Sequence, residues 1–143
     1  MKENESPYCN CLYWASNALA RVMTKMAEDS FAVAGLSPSY AFMVMSINKN
    51  PGIHSGELAK MMMLTPSTVT RLLEKLERQE LVRRIAEGRS ILLFPTKKSV
   101  ALNDLILQSW QYLYQKIVKE LGAETSANLT LGIFQATLKL SEK

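Results

Sequence analysis

The stretch from Ile53 to Pro95 constrains this chain most, and within it the segment opened by Thr65-Pro66 is the most telling. Thr accepts backbone N–H groups at a helix N-cap, and Pro at the first helical position pre-sets φ. Val69, Leu72, Leu73 and Leu76 follow at i, i+3, i+4 and i+7, the apolar stripe of a helix running to Arg78. At about 100° per residue, Ser67, Arg71, Glu74 and Arg78 fall on the opposite face. Thr68 and Lys75 lie on one flank and Thr70 on the other. Small hydroxyls and cations facing out over a buried leucine stripe suit a helix in a DNA major groove.

The flanking segments agree. A shorter helix comes first, capped by His54 or Ser55, with Glu57 in its first turn and Leu58, Ala59 and Met62 on its inner face. The break at Met63-Leu64 is as short as a helix-turn-helix needs. After Glu80 the pattern becomes extended: Leu81-Val82-Arg83-Arg84-Ile85 and Ser90-Ile91-Leu92-Leu93-Phe94 are joined by Ala86-Glu87-Gly88-Arg89. Gly88 supplies a turn position open to positive φ. Helix-turn-helix plus hairpin predicts a mainly α winged helix-turn-helix with a small β-hairpin wing.

The order ELAK, TPSTVTRLLEKLERQELVRR, EGRS and PTKKS resembles the multiple antibiotic resistance regulator (MarR) family of transcription factors. The likeness is specific in Glu57–Arg84, and the order of elements fits nearly the whole chain. It implies an intertwined helical homodimer on double-stranded, pseudo-palindromic operator DNA, responding to a small molecule or an oxidant. Two departures stand out. The family's wing usually carries Asp-x-Arg, with the Arg entering the minor groove; Glu87-Gly88-Arg89 takes that place in a short wing. The usual Leu-Thr-x-x-Gly after the wing is Pro95-Thr96-Lys97-Lys98-Ser99.

The residues expected at DNA are Ser55, Thr65, Ser67, Thr68, Thr70, Arg71, Lys75, Arg78, Arg84 and Arg89. Arg71 suits a fork onto guanine, and Lys75 suits phosphate. Glu74 is awkward against phosphate and belongs at the groove's edge. A charged helix face is commonly just solvated, with pairs such as Glu74–Arg78. The arginines that follow in the hairpin tilt the reading towards nucleic acid.

The rest of the chain reads as helices. Leu12, Ala15, Leu19, Val22 and Met26 mark one face of a helix from Tyr8 to about Val33, behind a loose start over residues 1–7. Ser37 caps a second helix with Pro38 in its first turn, ended by Asn48-Lys49-Asn50-Pro51-Gly52. Thr96 or Ser99 opens a long helix to Leu121, stopped by Gly122, and a last one runs from Glu124 or Thr125 to Leu140. These end helices carry more apolar surface than one winged helix can cover. A second copy is therefore expected to cover it, as obligate interfaces resemble a core cut in half. The expected organisation is one domain over 1–143, with dimerisation helices at 8–34 and 96–141 around a DNA-binding lobe at 37–95.

At 143 residues and 48% apolar content the chain can bury one core, and its net charge of +4 is compatible with nucleic acid. No apolar run is long enough to span a membrane, and the polar start, Lys2-Glu3-Asn4-Glu5-Ser6, does not read as a signal peptide. No membrane association is expected, and a cytoplasmic location follows. Cys9 and Cys11 are the only cysteines, too few for a disulfide framework. With the lone His54 they make no zinc spacing, so neither metal nor cofactor is expected.

Cys9 and Cys11 open the first helix on this reading. The organic hydroperoxide resistance branch of the family has a reactive cysteine in this region. Aligned on Leu12-Tyr13-x-Ala15-Ser16, Cys9 falls on it and Tyr13 on a tyrosine that hydrogen-bonds it. The branch's further tyrosine is Ser37 here. A helix N-terminus favours thiolate, and residues two apart on a helix diverge, so a Cys9–Cys11 disulfide would require the first turn to unwind. The plainer reading is two small hydrophobes at a dimer interface. Trp14, Tyr40, Trp110 and Tyr114 are candidates for an effector pocket, since the resemblance implies a small aromatic ligand or a hydroperoxide as signal; aromatic core is the alternative. The Met61-Met62-Met63 run reads as core plus adaptable surface.

The chain therefore reads as a sequence-specific DNA-binding transcriptional regulator, a repressor released by a small-molecule or oxidant signal, and not an enzyme. The alternatives are a thiol-based peroxidase using Cys9, against which stands the absence of any nucleophile–base spacing, and a protein-interaction module without DNA binding.

Overall fold

The computed structural model describes residues 6–142, so the polar start over 1–5 lies outside the described residues. In order come α1 (Leu12–Phe31) with a 3-10 turn at Ala32–Ala34, α2 (Pro38–Lys49), β1 (Ile53–His54), α3 (Ser55–Met62) and α4 (Pro66–Arg78). Strands β2 (Arg83–Glu87) and β3 (Ser90–Phe94) follow, then α5 (Lys97–Leu121) and α6 (Ala123–Ser141). This is a winged helix-turn-helix between long end helices.

The core lies in and around the winged helix. Phe31, Met43, Val44, Ile47, Leu58, Val69, Leu73, Leu76, Leu93 and Ile106 are all buried to 1% exposure or less. They come from β3 and from every helix but α6. α6 keeps Leu129, Leu131, Ile133, Phe134, Leu138 and Leu140 exposed, and α1 does the same with Leu12 and Val22.

The sheet has three antiparallel strands in the order β1-β3-β2, one more than the hairpin expected. β1 has only two residues, too few for any period to register; Ile53 pairs with Leu93 and His54 with Leu92. The hairpin register sets Arg83 against Phe94 and Glu87 against Ser90, leaving Gly88-Arg89 as a two-residue loop. Gly88 holds φ at +60°, the first-position requirement of a type II′ turn. Leu81 and Val82, expected in the strand, precede it and are buried at 3% and 2%. They are core residues that happen to be β-compatible.

Both helices of the helix-turn-helix end in the same way. Leu64 N–H reaches Ala59 O and Met63 N–H reaches Lys60 O, while Leu81 N–H reaches Leu76 O and Glu80 N–H reaches Glu77 O. These are Schellman endings, with Met63 at φ +55° and Glu80 at +60° in the left-handed region where Gly usually sits. The second ending is fastened to α5: the Thr96 hydroxyl donates to Glu80 O at 2.7 Å and Lys98 Nζ to Gln79 O at 2.9 Å. Thr96 also opens α5 through a reciprocal capping box with Ser99.

α1 begins at Leu12 rather than Tyr8. Pro7 to Asn10 form a turn, with Cys9 N–H on Ser6 O and Cys11 N–H on Tyr8 O. The apolar period itself starts only at Leu12, and the four residues before it contribute nothing to that face.

Candidate nucleic-acid interface

Thr65 caps α4 as its type suggests, accepting the Thr68 N–H at 3.3 Å. Its hydroxyl also donates to Thr68 Oγ1 at 2.9 Å and lies 3.3 Å from Ser67 Oγ, so three hydroxyls cluster at the head of the helix. Thr70 donates back to Pro66 O, leaving its oxygen lone pairs and methyl outward. Val69, Leu73 and Leu76 are buried, while Ser67, Thr70, Arg71, Glu74, Lys75 and Arg78 are exposed. Thr68 is half-buried.

Arg71, Arg78 and Arg89 take part in no ion pair among the described residues, so their charges face solvent uncompensated. Arg89 stands at the wing tip. Between it and the start of α3 runs a cleft of about 470 Å³, lined by His54, Ser55, Gly56, Glu57, Lys60, Arg89, Ser90 and Ile91. Ser55 is half-buried at its floor. Lys60 was not among the residues expected at DNA, although it is exposed on the same side as Arg89.

Arg84, expected at DNA, forms an ion pair with Glu77. Its Nη2 lies 2.8 Å from Glu77 Oε1, joining the wing to α4. The hydrogen bond from Arg84 holds the Glu77 carboxyl below the usual carboxylate range, and the same bond raises the guanidinium above its own. Arg83 lies over the Phe94 ring at 5.7 Å. Lys75 Nζ sits 5.1 Å from the centre of the Tyr40 ring.

Residues 36–87 match the model of the MarR family. The MarR likeness in fold runs through almost the whole chain. A MepR–DNA complex from S. aureus superposes with a TM-score of 0.79 at 18% identity, over 96% of this chain and 100% of that one. A mutant MarR from E. coli complexed with operator DNA gives 0.78 at 18% identity, over 92% and 99%. A MarR-family regulator from Listeria monocytogenes complexed with DNA gives 0.74 at 20% identity, over 90% and 88%. No curated protein matches the chain.

Cys9, Cys11 and three of the four aromatics singled out in the sequence lie outside the matched stretch. Cys9 and Cys11 are both exposed and unbonded. Cys9 lies in the turn before α1 and Cys11 is the residue that caps it, so the diverging helical geometry expected for the pair does not apply. Tyr13 is 79% exposed, and its hydroxyl bonds neither thiol among the described residues. Of the four aromatics of the expected pocket, Trp110 and Tyr114 lie one turn apart on α5. Tyr40 lies beneath Lys75. Trp110 packs edge-on against Phe42 at 5.7 Å, and Phe42 against Phe31 at 5.5 Å, an aromatic chain that helical period alone does not reveal. Trp14 is exposed. Tyr114 lines an apolar recess with Ile117 and Phe134. A second apolar cavity, about 370 Å³, lies among α1, α5 and α6, with Met63 from the helix-turn-helix as one wall. Among the described residues no single helix is long and apolar enough to cross a membrane.

Proposed function

We propose that the chain is a sequence-specific DNA-binding transcriptional regulator that represses by occupying promoter DNA as a homodimer. The observation that carries this reading is the outer face of α4. It presents Ser67, Thr70, Arg71, Lys75 and Arg78 over a buried Val69-Leu73-Leu76 stripe, with uncompensated Arg89 at the wing tip. A helix of that kind suits the major groove and a basic loop beside it suits the minor groove. The DNA complexes among the similar structures support it. Ser55, Thr65 and Thr68 take phosphate-side roles, and Arg84 acts through the wing's attachment rather than by direct contact.

Residues 37–95 form the DNA-binding lobe on this reading, and 8–34 with 96–141 form the dimer interface. The exposed leucines of α6 need a second copy to cover them. Such a protein works in the cytoplasm, where promoter DNA is, and is not an enzyme. The test is footprinting on the DNA upstream of the gene, with a salt titration. Protection of two half-sites about one helical turn apart supports the reading. Absence of any protected site, with the chain folded and dimeric, favours a protein-interaction module.

An oxidant acting on the thiols is the releasing signal on this reading. A Cys9 thiolate attacks the peroxide oxygen of an organic hydroperoxide, the alcohol leaves and sulfenic acid forms. A second thiol then displaces water from it, giving a disulfide. Repeated peroxide turnover with an added thiol reductant would instead identify a peroxidase.

A further inference from the structure

We propose that Tyr40 is a positioning residue for DNA binding: its ring holds the Lys75 ammonium at the phosphate backbone while leaving the charge intact. The proposal rests on the reading of α4 as the DNA-contacting helix. The ammonium lies 5.1 Å from the ring centre, within cation–π range. Tyr40 belongs to α2 and its half-buried side chain packs against the core, so the ring is a fixed platform.

Lys75 needs such a platform because its own helix offers none. The residues one turn away are Arg71, Leu72 and Arg78 on α4 and its C-cap Gln79, with no carboxylate among them. Arg71 at i−4 and Arg78 at i+3 repel the ammonium, and a free lysine side chain would disperse among many rotamers. A carboxylate partner would order it but cancel its charge, as Glu77, two residues further on, does for Arg84. An aromatic face attracts the cation through its quadrupole and adds no net charge. The Lys75 ammonium thus stays ordered and available to phosphate. The Tyr40 hydroxyl makes no hydrogen bond among the described residues, which leaves the ring as the working part.

The test is a double-mutant cycle on sheared genomic duplex DNA, because a phosphate contact is independent of sequence. Tyr40→Leu should weaken binding about two- to five-fold, while Tyr40→Phe should stay within about 1.5-fold of the parent. Lys75→Ala should reduce the slope of log affinity against log salt by about 1, and in that background Tyr40→Leu should have no further effect. An equal loss from Tyr40→Leu in both backgrounds would assign the ring to packing alone and overturn the proposal. So would an unchanged affinity and slope in Lys75→Ala. If Arg71→Ala weakens binding in that last case, α4 still meets DNA and only the Tyr40 proposal falls; if it does not, the DNA-binding reading of α4 falls with it.

Discussion

Arg84 donates a 2.8 Å hydrogen bond to the Glu77 carboxylate, and this ion pair fastens β2 to the last turn of α4. The pair is a side-chain link between the wing and α4. On the proposed reading, Arg84 serves DNA binding indirectly, through this link.

That pair makes the wing's attachment sensitive to acid. Arg84 holds the folded-state pKa of Glu77 below its ordinary 4.5. A depressed carboxyl pKa contributes stability that is fully present above the unfolded value and is lost as pH falls through the folded one. Glu77 is 41% exposed, so screening limits the pair to roughly 0.2–1 kcal/mol. Glu77→Gln should cost that amount near neutral pH, and the difference from the parent should shrink below pH about 4.5. Urea melts at several pH values measure it; a difference that does not change with pH would mean the charge on Glu77 is not what matters.

Arg71 is the most exposed test of sequence reading on α4. Arg71→Ala should cost specific binding about 1–3 kcal/mol if the guanidinium forks onto a base. Should it meet phosphate only, specific and nonspecific DNA will weaken together and the salt slope will shallow by about 1. A folded variant with unchanged affinity for every duplex contradicts a major-groove role.

The left-handed endings of α3 and α4 give a stability prediction independent of DNA. A non-glycine residue in that region costs about 1–2 kcal/mol, and glycine's larger unfolded-state entropy returns part of it. Glu80 sits there at φ +60° with an exposed side chain. Glu80→Gly should stabilise the chain by about 0.5–1 kcal/mol in urea melts. A loss instead would show that the Glu80 side chain makes a contribution its exposure does not suggest.

The parts legible in the sequence were those whose cause is local. The Thr65 cap, the Pro66 start, the Val69–Leu76 stripe and the Gly88 turn all appear where their chemistry required. What escaped needs distant partners. β1 exists because Ile53 and His54 meet β3, some forty residues on. Glu77–Arg84 joins a helix to a strand, and Tyr40–Lys75 joins two helices. No period or spacing encodes these. Leu81-Val82 lies outside the strand, and a buried apolar pair looks the same in a strand as in a core-facing loop. α1 starts four residues later than Tyr8 although the run has no strong breaker after Pro7, and only the hydrogen-bonded turn reveals the boundary.

Assembly can be tested on α6. Leu131 and Leu138 lie two turns apart, 56% and 45% exposed, on a helix that contributes none of the buried apolar core. Leu131→Glu with Leu138→Glu should convert a micromolar dimer into a folded monomer in sedimentation, because two charges cannot be buried at an apolar interface without a partner. A double variant that remains dimeric would place the interface elsewhere.

The thiols carry the last prediction. Cys9 lies in a turn and Cys11 at the cap of α1, so neither is locked into a helical face. A disulfide between them needs rearrangement of the turn but no unwinding of α1. Oxidation adds polar bulk or a new link at the head of a helix expected at the dimer interface, and a shift there alters the spacing of the two recognition helices. A dimer reading two fixed half-sites tolerates little such change. Organic hydroperoxide should therefore release promoter DNA from the parent, and Cys9→Ser should stay bound. Cys11→Ser should still respond but recover poorly with reductant, since its sulfenic acid has no near thiol and proceeds to sulfinic acid. Peroxide titrations of DNA affinity for the three proteins, read beside mass spectra of the thiols, decide it. If the parent holds its DNA while Cys9 is oxidised, the thiols are bystanders, and the apolar cavity walled by Met63 becomes the place to look for an effector.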